Sequence, residues 1–230
     1  MPTPAVSAAD LDLLRRFDTP TVCNVIELFD LHPRTYGYMD CRIQACYPKL
    51  PPMVGFAATA TFRSADSPKA GCAYSGLVEQ VEAFAQSLQP PIVVFQDIDN
   101  PPVAATFGEV MCTTYRAFGA AGLITSGAGR DLDQVEALQF PCFCDGVLCA
   151  HGYCYFPQIN VPIHVGGMTI HPGDLLHGDR HGLLTVPPEI AASIPAAAAR
   201  QRQDEQKVID YCNSEQFSID GLSNLMKELF

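Results

Sequence analysis

GEVMCTTYRAFGAAGLITSGAGRD, residues 108 to 131, decides the reading of this 230-residue chain. It reads as a loop, a helix from Glu109 to Phe118, a short buried strand GLITSG and a second loop. Each loop delivers charge, Glu109 at the start and Arg130 with Asp131 at the end. A helix of about ten residues rises about 15 Å, and a strand of about five returns roughly that distance. The spacing therefore brings both loops to one edge of a sheet. Two carboxylates, a guanidinium and the amides of a helix start would share a site there.

Each of these residues also has an ordinary structural role. Glu109 fits the first turn of a helix, where the dipole favours a carboxylate by a few tenths to about 1 kcal/mol. Asp131-x-x-Gln134 has the spacing of a capping box, so Asp131 can cap its own helix; as a metal ligand it offers hard oxygen to Mg²⁺ or Mn²⁺. Arg130 follows a Gly-Ala-Gly turn. It can form a surface ion pair of little worth or hold an anionic oxygen with its planar fork. The amides of Gly108, Glu109, Val110 and Met111 lack helical partners and suit an anion.

On the N-terminal side, Ser7 and Asp10 form a capping box before LDLLRRF, and Thr19-Pro20 offers an N-cap and N1 proline for TVCNVIELF. Residues 32 to 54 show no periodicity. FAATATF (56–62) and IVVFQDID (92–99) read as strands, with a helical stripe from Tyr74 to Leu88 between them. Val103 to Thr106 is a further short strand. On the C-terminal side, Asp131 to Leu138 is a short helix. From Pro141 the signals are those of short strands, with a turn at Pro172-Gly173 and a hairpin over Gly178 to Gly182. PEIAASI, Ala196 to Cys212 and SIDGLSNLMKELF close the chain as helices. With no repeat and no linker, residues 1–230 read as one domain, with N-terminal helices over 1–30 and a helical tail over 188–230.

The formal net charge is −11, which speaks against nucleic-acid or anionic-membrane partners. No segment reaches the roughly 18 to 20 apolar residues of a membrane span. The N-terminus has no signal-peptide pattern. Ten cysteines without CxxC pairs read as reduced thiols of a cytoplasmic protein. The spacing of Cys142, Cys144, Cys149 and Cys154 does not suit a zinc knuckle. GAGRDL lacks the third glycine of a dinucleotide fingerprint. His177-x-Asp179-x-His181 reads as a polar hairpin turn. His151, in a Gly-flanked loop, is a further functional candidate, as is Glu205 against the default of a solvated helix face.

The order of these pieces resembles the RraA-like family, which includes 4-hydroxy-4-methyl-2-oxoglutarate aldolases. The resemblance rests on TPTVCNVIE (19–27), GFAATA (55–60), residues 108–131, FPCF (140–143) and VPIHVGGMTIHPGDLLHGDRHGLLTVP (161–187). It implies an α/β fold, a compact swivelling β/β/α sandwich assembled as a homotrimer or a homohexamer. It also implies chemistry: a divalent metal, usually Mg²⁺, holds a small 2-oxo acid, and carbon–carbon cleavage leaves a pyruvate enolate. By position, Gly108, Glu109, Val110, Met111 and Arg130 bind substrate. Arg130 and Glu109 are the catalytic groups, and Asp131 holds the metal with Glu109, directly or through water. Glu109 stands where aldolase members often carry Asp, and CDGVLCAHGYCYF (144–156) lacks their Ser-Pro-Arg type sequence. The expectation is a metal-dependent lyase that cleaves or decarboxylates a 2-oxo acid. The alternative is a non-catalytic RraA-like protein that binds or regulates another protein.

Overall fold

The computed structural model describes residues 6–69, 74 and 76–229; the first five residues of the expected N-terminal segment and Phe230 lie outside them. The strands are β1 (Gln44–Ala45), β2 (Met53–Phe62), β3 (Pro91–Asp97), β4 (Ala105–Phe107), β5 (Gly122–Thr125), β6 (Ala128–Gly129), β7 (Cys142–Cys144), β8 (Ile163–Val165), β9 (Met168–Ile170), β10 (Leu175–Asp179) and β11 (Gly182–Thr185). The helices are α1 (Ala8–Leu14), α2 (Thr19–Glu27), α3 (Leu77–Phe84), α4 (Glu109–Ala117), α5 (Leu132–Ala137), α6 (Ile194–Cys212) and α7 (Ile219–Leu229).

Seven strands form one mixed sheet in the order β1-β7-β5-β3-β2-β10-β11. Its centre, β2, β3, β5 and β7, is parallel, and β1, β10 and β11 add on antiparallel. The parallel strands are buried on both faces, which explains their unbroken apolar runs. Alternation still sorts them. Val93, Phe95 and Leu123 meet Phe62, Phe84, Tyr115 and Phe156 on one face. Ile92, Val94 and Ile124 meet the β8–β9 hairpin through Ile163, Val165 and Ile170 on the other. A third cluster joins α1, α2 and α6 to β10 and β11 through Leu14, Val22, Val25, Leu184 and Ile194. Among the described residues, no helix is long and apolar enough to cross a membrane.

Several local expectations shift. The Ser7–Asp10 capping box is present. The cap of α2, however, is Asp18, whose side chain accepts from Thr21 N–H at 2.8 Å, and not Thr19. Thr19 is held instead by β10. Its N–H donates to Asp179 Oδ2 at 3.0 Å, and its hydroxyl lies 3.0 Å from His177 Nδ1. His177 Nε2 faces the Leu14 carbonyl at 3.3 Å, so Nε2 donates and Nδ1 accepts. Burial pulls the imidazole pKa down and keeps it neutral. This motif fastens the N-terminal helices to the sheet. Residues 44–45 form a strand inside the stretch read as irregular, and PEIAASI forms hydrogen-bonded turns before α6 opens. A proline-rich start leaves too few amides for a separate helix there. The short strand expected at Val103 begins two residues later, at Ala105.

Asp97 closes β3 with an unusual carboxylate. Oδ1 accepts from Asp99 N–H at 3.0 Å, while Oδ2 is buried with no hydrogen-bond partner. Burial, with Asp99 adding repulsion, pushes its pKa up to about 6 from 3.8. The folded state thus holds a proton that the unfolded state has released, and this group's stabilising share is lost as pH rises from about 4 to 6. Asp97→Asn removes that loss. Its stability relative to the unmodified protein should climb across this window by about 1–3 kcal/mol, read as the difference between the two denaturant-unfolding curves at pH 4.5 and pH 7.5. A difference independent of pH would refute the assignment.

Candidate functional site

β4 and β6 pair in parallel, Ala105 opposite Ala128 and Phe107 opposite Gly129. Arg130 N–H extends the pairing to the Phe107 carbonyl at 3.1 Å. β4 runs directly into Gly108 and α4, and β6 into Arg130, Asp131 and α5. The two loops therefore meet as the spacing requires, on this separate two-stranded sheet and not at an edge of the large one. Glycines permit the approach. A Cβ on Gly129 would sit 2.3 Å from the Phe107 ring, and one on Gly108 would sit 2.5 Å from Asp131 Oδ2 and 3.0 Å from Arg130 Nε.

Asp131 does not cap its own helix. Its backbone is left-handed (φ 54, ψ 42), and its side chain makes no cap bond to α5. An N-cap side chain reaches its amides from extended backbone, so the capping-box reading fails on conformation. The carboxylate instead accepts Glu109 N–H at 3.1 Å, an anion seated on the positive end of α4. Left-handed backbone costs a non-glycine residue about 1–2 kcal/mol, and the neighbouring contacts hold it. Arg130 Nε lies 3.6 Å from the same Oδ2.

A cleft with about 260 Å³ of empty space, its open mouth included, lies against this junction. Gly108, Val110, Met111 and Arg130 line it together with Tyr74 and His151. The first helical bond of α4 is Cys112 N–H to the Gly108 carbonyl, so the amides of Val110 and Met111 lie ahead of it with no helical acceptor. Amides, helix dipole and guanidinium make the cleft suited to a small anion.

Of the residues read from sequence, Gly108, Val110, Met111 and Arg130 line the cleft. Glu109 gives its amide to Asp131, and its side chain is exposed outside the lining. Asp131 does not line the cleft either; it lies beside Arg130 and is 37% exposed. Glu205 sits on α6 and does not line the cleft. Tyr74, which no motif marks, does line it. Among the described residues no three His, Cys, Asp or Glu side chains form a metal cluster, and Cys142, Cys144 and Cys154 are packed in the core. Asp131 offers one carboxylate beside the cleft, and Mg²⁺ is a cation that takes one or two protein carboxylates while keeping several waters.

A profile of the RraA-like family (Aldolase/RraA) matches residues 19–185. A putative 4-hydroxy-4-methyl-2-oxoglutarate aldolase of Halalkalibacterium halodurans is 32% identical over 118 residues, 51% of this chain and 56% of that protein. The chain thus spans about half the length of this curated relative. An uncharacterized protein from Pseudomonas syringae superposes with a TM-score of 0.74 at 21% identity, over 99% of this chain and 97% of that one. RraAS2 of Streptomyces coelicolor, described as an unusual member of the RNase ES inhibitor RraA protein family, gives 0.68 at 24% identity, over 88% and 97%. At these identities the two structures show the fold.

Gly108→Ala forces Asp131 off the Glu109 amide. The lost cap costs about 1 kcal/mol, a drop in Tm of roughly 2–4 °C. In an Asp131→Ala background the same substitution should cost clearly less, because the clash partner is gone. Equal costs in the two backgrounds would show that Gly108 is not there to make room for the carboxylate.

Proposed function

The chain belongs to the RraA-like family, and on that premise we propose that it is a divalent-metal-dependent lyase that cleaves a carbon–carbon bond of a small 2-oxo acid. The reactions are aldol cleavage to pyruvate, decarboxylation of oxaloacetate, or both. The observation that supports this reading is the convergence of the start of α4 and Arg130 on one small cleft, with Asp131 bonded to the Glu109 amide beside it. Breaking the bond next to a 2-oxo group drives negative charge onto the keto oxygen. Arg130 is the fixed cation facing that cleft and stabilises the enolate oxygen. One preorganised donor of this kind contributes roughly 3 to 4 kcal/mol to the transition state. The amides of Val110 and Met111 bind the substrate carboxylate.

Asp131 would hold the metal, Mg²⁺ or Mn²⁺, with Glu109 supporting it directly or through water; the bound ion supplies Lewis-acid polarisation of the keto oxygen. The Glu109 carboxylate does not line the cleft, which favours the water-mediated role. The protein is cytoplasmic in this reading and works as a homotrimer or homohexamer. Its acidic surface takes neither nucleic acid nor membrane.

Pyruvate release from 4-hydroxy-4-methyl-2-oxoglutarate and from oxaloacetate, followed with Mg²⁺ and with EDTA, tests the proposal. Release should require the metal, and Asp131→Ala should lose it by at least about 10²-fold while keeping a cooperative melt. Full activity in Asp131→Ala would refute the assigned ligand. No release from either substrate by folded protein would favour the non-catalytic alternative. In that case, capture of a protein partner should be indifferent to chelator.

A further inference from the structure

The lining of the cleft holds two side chains with no part in the chemistry above, Tyr74 and His151. His151 Nε2 lies 2.8 Å from the Tyr74 hydroxyl, and its Nδ1 lies 3.0 Å from the Gly152 carbonyl. A carbonyl only accepts, so Nδ1 carries the hydrogen and Nε2 of the neutral ring accepts. Tyr74 O–H therefore donates to His151. The rings meet edge to face at 5.2 Å.

The pair is firmly mounted. Tyr74 N–H donates to the Cys154 carbonyl at 2.8 Å, Ala105 N–H to the Ala150 carbonyl at 2.9 Å, and Tyr153 N–H to the Ser64 carbonyl at 3.0 Å. The second of these bonds fixes the loop around His151 to β4, the strand that leads into the site, and the other two tie it to Tyr74 and to Ser64 beyond the end of β2. Tyr74 itself has φ 66, a conformation that bulky residues rarely adopt and that persists only where the surroundings impose it. Both side chains are half-buried and face the same space as Arg130. A phenol hydrogen-bonded to an imidazole, with the far imidazole nitrogen anchored on a carbonyl, is an arrangement able to take up a proton at the phenol oxygen.

We propose that Tyr74 and His151 form a two-residue proton relay for aldol cleavage, an inference that rests on the 2-oxo-acid reading above. Tyr74 is the catalytic residue, and His151 is the positioning residue that accepts its proton. The substrate's 4-hydroxyl proton passes to Tyr74 Oη as the phenol's own proton passes to His151 Nε2. The C3–C4 bond breaks, its electron pair becomes the enolate beside Arg130, and the C4 oxygen becomes the carbonyl of the released fragment. The proton on His151 then returns through Tyr74 to C3. This yields pyruvate and restores the neutral ring. A substrate without that hydroxyl has nothing to give Tyr74.

Oxaloacetate separates the possibilities, since loss of CO₂ removes no hydroxyl proton. Tyr74→Phe and His151→Gln should each lower kcat for aldol cleavage by on the order of 10²-fold or more with little change in KM. Oxaloacetate decarboxylation should fall far less, so the ratio of the two rates collapses. Affinity for oxalate, a planar mimic of the enolate, should stay within about threefold, which shows an intact cleft. Equal loss of both reactions would mark the pair as structural and overturn the relay, as would undiminished aldol cleavage in Tyr74→Phe. If His151→Gln fails to fold, Tyr74→Phe, which keeps the ring and removes only the oxygen, decides alone. Absence of both reactions in the unmodified protein would refute the lyase reading itself, and the relay with it.

Discussion

The site depends on one short piece of parallel pairing. β4 and β6 offer few ladder contacts, Ala105 with Ala128 and Phe107 with Gly129, continued by Arg130 N–H on the Phe107 carbonyl. Such a pair is too small to be stable alone. It persists because its side chains are buried: Phe107 is 1% exposed, and Thr106 lies within 3.0 Å of both Thr125 Oγ1 and the Ala128 carbonyl. The large sheet supplies that burial through β5, which leads into β6. The core thus positions Arg130 and the start of α4 without contributing a side chain to the cleft's chemistry.

Asp131 shows how a stabilising contact and a strained one share a residue. Left-handed backbone raises its energy, while the bond to Glu109 N–H and the nearby Arg130 lower it. Only one of its oxygens is engaged by that helix start. Local strain supported by its surroundings is common where a side chain must be aimed. The same logic covers Tyr74, whose left-handed backbone is tied to the Cys154 carbonyl. Cys154, another residue lining the cleft, has positive φ as well.

The main elements were legible because they are governed by local periodicity. The helix after Gly108, the buried strand GLIT and the meeting of their flanking loops follow from rise per residue and apolar runs alone. Ser7 and Asp10 act within one turn, so their capping box was legible too. The choices that failed involve distant competitors. Thr19 looked like a cap until Asp179 and His177, some 160 residues away, took its amide and hydroxyl. Asp131 had a capping-box partner at the right spacing, yet the amide it accepts belongs to another helix, 22 residues back. Tyr74 carries no mark of its role in any short window, since its partner His151 is 77 residues on. The Gly-flanked setting of His151 was the only local hint of that contact.

Net charge is a poor guide to such a cleft. The chain carries a formal −11, and long-range attraction of an acidic substrate is correspondingly weak. Beyond about 8 Å, however, physiological salt screens most of that field. Within that radius the balance is set by Arg130 and the unpaired amides at the start of α4, with Asp131 on the Glu109 amide already neutralising part of the helix dipole. A dianionic substrate would face one guanidinium and one partly compensated helix end, which is little positive charge for two carboxylates. On the proposed lyase reading, that shortfall is what a divalent cation held by Asp131 would make good. The ion would offset the Asp131 charge and leave Arg130 free for the oxygen on which charge develops.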